Sequence, residues 1–283
     1  MTVVNGIDHG AGRVPAWRRC LINVGEALTV LARPARIRPR DAWLLPPRQL
    51  AMAGAAIVAL FLLGMFFVDA AVTNAVMRLP HWANAFFNEI TDYGKSGWFL
   101  WPLGLLFLAL AALAPVAPRF AQFALAAIMV RVGFLFVAIG LPSLFVTIIK
   151  RMIGRARPMV TGHVDPFAFS PFIWRNDYAS LPSGHSTTAF AVLVAFSTLW
   201  PRGRTVFLLY AVLIAMSRVV VTAHYTTDVL MGALVGTVGA LMVRRWFALR
   251  RLGFSVGPDG VPHMYPGPSV RRIKSVARDL LAP

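Results

Sequence analysis

The sequence predicts an all-α, polytopic membrane protein in which six transmembrane helices form a bundle. Hydrophobic residues make up 58% of the 283 positions and charged residues only 14%, whereas soluble domains carry about 25% charged residues. Six stretches are apolar enough to be candidate membrane-spanning helices. The net charge is +17. The chain is nevertheless too apolar to be disordered or to be a DNA-binding domain. We therefore expect it to interact with a membrane and not with a nucleic acid.

The six predicted spans are joined by loops that carry most of the charge. The third span contains Arg131, which we expect near an interface where its side chain can reach water, with a buried functional Arg131 as the alternative. The fourth span is short, which favours a helix that begins inside the protein. The spans cover residues 50–71, 98–116, 123–149, 186–200, 205–221 and 227–247.

The predicted membrane domain, residues 50–247, is flanked by two basic regions. The N-terminal region, 1–49, lacks the pattern of a signal peptide. It contains apolar residues at helical spacing from Trp17 to Leu31, which predict an amphipathic helix on the membrane surface. The C-terminal tail, 248–283, has a similar stretch around Ile273. We expect both regions to contact anionic lipids.

The distribution of Lys and Arg predicts the orientation of the bundle. Most of them lie in the terminal regions and in the loops after the second and fourth spans, which share one side of a six-span bundle. The positive-inside rule makes this side cytoplasmic, and a bacterial inner membrane is the expected location. The basic cluster 150–157 falls on the other, periplasmic side and needs a separate explanation.

Three segments bring phosphate-binding chemistry to this periplasmic end. The first ends the third span, the second begins the fourth, and the third joins the fifth and sixth. The guanidinium group of arginine and the ammonium group of lysine bind phosphate oxygens. Free backbone N–H groups at the start of a helix attract anions. The candidate phosphate-binding residues are Lys150, Arg157, Ser183, Gly184 and Arg218.

Two histidines and an aspartate in the same segments provide catalytic chemistry. Asp228 follows His224 by four residues, so its carboxylate could accept the N–H of one ring nitrogen and leave a lone pair on the other. His185 comes from another helix and could donate a proton. These are the groups that phosphoryl transfer requires.

The motifs Lys-x6-Arg-Pro, Pro-Ser-Gly-His and Ser-Arg-x5-His-x3-Asp, in this order over residues 150–228, resemble the tripartite signature of the type 2 phosphatidic acid phosphatase family. The resemblance implies that His224 attacks phosphorus and forms a phosphohistidine, that Asp228 orients it, and that His185 protonates the leaving oxygen. It implies that the five phosphate-binding candidates hold the phosphate oxygens, without a metal or other cofactor. Arg151, Arg155 and Ser217 are secondary candidates: Arg155 would contact a second phosphate or an anionic headgroup, or face solvent.

The resulting hypothesis is a membrane phosphatase that acts on a lipid phosphate or diphosphate. Undecaprenyl diphosphate, phosphatidic acid, phosphatidylglycerophosphate and lipid A are the candidate substrates. A lipid phosphotransferase is the main alternative. A vanadium haloperoxidase is disfavoured because those relatives are soluble, and a lipid-phosphate transporter because no internal repeat is evident. The sequence leaves the oligomeric state open.

Overall fold

A computed structural model describes residues 15–32, 34–36, 46–113, 119–257, 260–269, 271, 273–275 and 278. It confirms the prediction of a mostly helical membrane protein. Much of the two basic terminal regions, including Val270 and Val276 of the tail, lies outside the described residues. The helices are α1 Ala16–Ala32, α2 Pro47–Gly64, α3 Ala70–Val76, α4 His81–Thr91, α5 Gly97–Leu113, α6 Arg119–Ile153, α7 Gly184–Leu199, α8 Arg204–Val220 and α9 Thr226–Leu249.

Apolar helices of membrane-spanning length dominate this part of the chain. Within the described residues, five helical stretches are long and apolar enough to cross a bilayer: Pro47–Val76, His81–Ala112, Ala121–Ile153, Pro201–Val220 and Thr226–Leu249. The α2 and α3 helices are joined by a π-helical turn, Met65–Asp69. The fourth predicted span corresponds to α7, which has only 16 residues.

The short α7 helix lies at the centre of the bundle, where α6, α8 and α9 pack against it. Glycines on α9 allow the two backbones to approach closely. A Cβ atom added at Gly236 would lie 2.2 Å from the carbonyl oxygen of Thr187, and one at Gly232 would lie 2.4 Å from that of Ser183. The start of α7 is therefore held directly against the start of α9.

A two-stranded hairpin, which was not predicted from the sequence, packs against α9 at the end of the bundle opposite the start of α7. Its strands are β1 Phe254–Val256 and β2 Pro262–Met264, and the Phe254 ring packs into the core beside Phe134. Arg131 donates a hydrogen bond of 2.7 Å to the carbonyl oxygen of Tyr265, just after β2. Arg131 thus links α6 to the hairpin and lies away from the three motifs.

The long loop between α6 and α7 begins at a position that requires glycine. Gly154 has a φ of +65°, and an added Cβ atom would lie 1.8 Å from the carbonyl oxygen of Ser170. The loop then folds back across the end of the bundle: the Arg157 amide donates to the Asp177 carbonyl oxygen at 2.8 Å, and the Ser180 amide donates to that of Arg155 at 3.1 Å. These bonds position the loop residues of the first motif.

Candidate active site

The three motifs meet at one end of the helix bundle. The first includes the end of α6, the second the start of α7, and the third runs from the end of α8 into the start of α9. Because these helices alternate in direction, the four ends share one face. The residues that the structure gathers there are Lys150, Arg157, Ser183, Gly184, His185, Arg218, His224 and Asp228.

His224 lies in the loop before α9 and is almost completely buried. Burial lowers the pKa of its imidazole to about 4, although the nearby Asp228 carboxylate opposes this change. The ring is therefore neutral at pH 7 and keeps a lone pair on one nitrogen. A neutral imidazole can act as a nucleophile towards phosphorus.

The link between His224 and Asp228 runs through a serine that sequence reasoning missed. The Nδ1 atom of His224 is 3.9 Å from Oδ2 of Asp228, which is longer than a hydrogen bond. The Ser180 hydroxyl lies between them, 3.3 Å from Nδ1 and 2.6 Å from Oδ2. Since its single proton goes to the carboxylate, its oxygen accepts from Nδ1–H, and Nε2 of His224 carries the lone pair.

Asp228 also holds the start of α9 in place. Its Oδ2 atom accepts the Tyr225 amide at 3.0 Å, in a capping arrangement. Its carbonyl oxygen accepts the Ser183 amide at 3.0 Å. The Ser183 amide is therefore not free for an anion. The first-turn amides of Gly184 and His185, which lack intrahelical acceptors, remain as donors at this helix start.

Asp228 belongs to a fully buried cluster of ion pairs. Arg155 donates to Oδ1 of Asp228 at 2.6 Å and to Oδ2 of Asp69 at 2.8 Å, and all three side chains have 0% exposure. Asp69, in the π-helical turn, also accepts the Thr227 amide at 2.9 Å. Both expectations for Arg155 were therefore wrong: it contacts neither solvent nor a position open to a second phosphate.

The cationic candidates Lys150, Arg157 and Arg218 form a cluster of positive charge. Lys150 lies within electrostatic range of Arg157 and Arg218. Arg218 donates to Oγ1 of Thr91 on α4 at 2.6 Å. Among the described residues, no carboxylate forms an ion pair with these three cations, and the buried Nε atoms of Arg157 and Arg218 have no hydrogen-bond partner. Unpaired donors of this kind favour binding of an anion.

Three supporting residues, Asp69, Thr91 and Ser180, were missed because no motif includes them. Asp69 had a signal: it is the only carboxylate in the first predicted span, and ionisable residues inside membrane segments are usually paired and functional. Ser180 and Thr91 are ordinary polar residues near predicted helix ends. Nothing in their local sequence indicates which distant side chain they contact.

Removal of the Ser180 hydroxyl should slow turnover without weakening substrate binding. In Ser180→Ala the His224 ring loses its acceptor while Asp228 stays in place, so we expect kcat to fall about 10- to 100-fold with KM nearly unchanged. Steady-state kinetics of purified protein in detergent would measure this. Ser143→Ala is the matched control, since the buried Ser143 hydroxyl contacts the Ile139 carbonyl oxygen and the Thr188 hydroxyl, and none of these residues belongs to the three motifs. Wild-type kcat in Ser180→Ala would contradict the role of Ser180 in linking His224 to Asp228.

Parts of this chain are similar to known proteins. Residues 131–252 match the sequence profile of the PAP2 superfamily. A lipid A 1-phosphatase of Rhizobium johnstonii is 36% identical over 174 residues, 61% of this chain and 71% of that protein, and one of Rhizobium etli is 35% identical over 174 residues, 61% and 75% of the two chains. The crystal structure of Aquifex aeolicus LpxE aligns with a TM-score of 0.46 and 22% identity over 62% of this chain and 94% of that one.

Proposed function

This chain belongs to the PAP2 superfamily, the type 2 phosphatidic acid phosphatases, and we propose that it hydrolyses a lipid phosphate without a metal, through a phosphohistidine at His224. The observation that carries the proposal is the buried, neutral His224, which is linked through Ser180 to Asp228 and lies close to the cations Arg157 and Arg218. We place the chain in a bacterial inner membrane with this site on the periplasmic side. A periplasm-specific reporter inserted after Asp165 should be active; inactivity would refute that orientation.

The proposed reaction has two steps. First, Nε2 of His224 attacks phosphorus and the bond from phosphorus to the lipid oxygen breaks. The imidazolium form of His185, which forms beside the dianionic phosphate, donates its proton to that oxygen. Second, water attacks phosphorus, the phosphorus–nitrogen bond breaks, and His185 takes the proton from the water. Inorganic phosphate leaves and His224 is neutral again. Lys150, Arg157 and Arg218 stabilise the phosphoryl oxygens in both transition states.

The lowered pKa of His224 predicts the pH dependence. The nucleophile must be neutral, so activity should persist as the pH falls below 6.5 and be lost only as it approaches about 4. The acid limb of the pH profile of kcat/KM gives the pKa values of groups in the free enzyme. It should be measured with a short-chain lipid phosphate and corrected for the substrate's own ionisation, obtained by phosphorus NMR. An acid limb of the free enzyme near 6.5 would contradict a buried, neutral His224.

Lipid A is the substrate that we favour among the four candidates. Two relatives at 35–36% identity are lipid A 1-phosphatases. A cavity of about 480 Å³ lies beside the site and is lined by the exposed rings of Trp98 and Trp101 and by Lys95, which forms an ion pair with Asp92 at 2.8 Å. Lys95 is within electrostatic range of His185. Exposed tryptophan rings can stack on the sugar ring of a lipid A headgroup, which a glycerol headgroup lacks.

A lipid panel tests both parts of the proposal. Purified protein in detergent with EDTA should release phosphate from at least one of lipid A, phosphatidic acid, phosphatidylglycerophosphate and undecaprenyl diphosphate, and vanadate should inhibit it. We expect the highest kcat/KM for lipid A. Trp101→Ala should raise KM for lipid A about threefold or more and leave phosphatidic acid unaffected, with the equally exposed Trp174→Ala as control. Complete inactivation by EDTA would refute metal independence, and equal use of all four lipids would refute the lipid A preference.

A further inference from the structure

A second cavity lies at the end of the bundle opposite the candidate active site. It has a volume of about 670 Å³, is open on one side and is lined by residues of α7, α8 and α9. Counting along α9, Arg244 on its wall is sixteen residues from Asp228, or roughly 24 Å at 1.5 Å per residue. The cavity is therefore separate from the phosphatase site.

The wall of this cavity combines an apolar face with cationic and hydroxyl groups. Leu193, Leu208 and Leu241 provide apolar surface, and Ser197, Arg204 and Arg244 provide the polar groups. No carboxylate belongs to the described residues that line it. A cavity of this size and composition matches a bound small molecule with one apolar and one anionic part.

Two polar atoms of the wall are buried without a partner. Nε of Arg244 and Oγ of Ser197 are inaccessible to solvent and have no hydrogen-bond acceptor or donor among the described residues. In the same part of the chain, neither Arg204 nor Arg244 forms an ion pair. Buried donors left unpaired cost free energy, and a rotation of the Arg244 and Ser197 side chains towards an anion held between the two guanidinium groups would remove that cost.

We propose that this cavity binds one anionic phospholipid from the leaflet opposite the active site. The headgroup phosphate accepts hydrogen bonds from Arg204, Arg244 and the Ser197 hydroxyl. An acyl chain lies along the three leucines. The lipid is favoured over free phosphate because the cavity lies between membrane helices and is mainly apolar, and basic pockets between such helices suit anionic headgroups.

Native mass spectrometry of the full chain in detergent tests the proposal. Phosphatidylglycerol and phosphatidylcholine with the same acyl chains are offered at equal concentration. We expect one phosphatidylglycerol molecule to be retained at least about fivefold more than phosphatidylcholine. Arg204→Gln and Arg244→Gln should each reduce that retention about fivefold or more. Arg202→Gln is the matched control, because Arg202 is exposed in the turn before α8 and does not line the cavity.

Three results would overturn the proposal. One is equal retention of the two lipids by the wild-type protein. Another is undiminished phosphatidylglycerol retention in Arg204→Gln, a variant expected to fold because Arg204 is exposed. The third is complete displacement of bound phosphatidylglycerol by millimolar inorganic phosphate, which would show an anion site that makes no use of the apolar wall.

Discussion

Replacement of His224 by alanine is expected to abolish phosphate release, with a loss of at least about 10³-fold in kcat. Without this imidazole only the Ser180 hydroxyl and the Asp228 carboxylate remain of the linked group, and neither offers a ring nitrogen to attack phosphorus. The remaining cations can still hold the phosphate, so KM should change little. Release of phosphate from the preferred lipid, measured under saturating substrate, gives the comparison.

His163→Ala is the control for this variant, because His163 is exposed on the loop at the same end of the bundle. It should retain wild-type turnover. The His224→Ala protein should still elute as a folded protein and bind vanadate, since the three cations remain. Near-normal turnover in His224→Ala would exclude His224 as the nucleophile.

Replacement of Arg155 by methionine should destabilise the protein more than any other single change at the site. Both Asp69 and Asp228 would be left buried without a counter-charge. Breaking a buried ion pair by removing one partner costs about 3–5 kcal/mol, which corresponds to a decrease of roughly 10 °C in the thermal midpoint. The free energy of unfolding and the midpoint can be measured in detergent by tryptophan fluorescence.

Arg151→Met is the matched control, because Arg151 is only four residues earlier and makes an exposed hydrogen bond of 3.3 Å to Asn176. Surface changes of this kind are usually within about 0.5 kcal/mol. Arg155→Met should also lose activity, since Asp228 would lose one of the contacts that fix its carboxylate. An unchanged midpoint in Arg155→Met would contradict the buried cluster.

Most of the fold could be predicted because the bilayer allows only backbone structures whose polar groups are hydrogen-bonded within the protein. An apolar run in lipid must satisfy its own hydrogen bonds, so each of the six runs was expected to be helical. The first helical stretch extends beyond the predicted 50–71, since the π-helical turn at Met65–Asp69 continues it to Val76. The hairpin was missed because strands of three residues carry too little periodicity.

The composition of the candidate site was predictable, whereas its internal contacts were not. The motifs name the residues, but Arg155 and Asp69 are 86 residues apart, and no local pattern links them. The direct bond between His224 and Asp228 was expected from helical spacing. That spacing does not apply, because α9 begins at Thr226 and His224 precedes it. Asp228 instead caps α9, and the Ser180 hydroxyl bridges the His224 ring and the Asp228 carboxylate.

The most direct test of the central claim is chemical trapping of the phosphoenzyme. The protein is mixed with a lipid labelled in its phosphate, quenched within milliseconds in base, digested, and analysed by mass spectrometry. The proposed mechanism predicts an acid-labile, base-stable phosphate on the peptide that contains His224, absent from His224→Ala. Turnover with no labelled peptide, or a label on a residue other than His224, would contradict it.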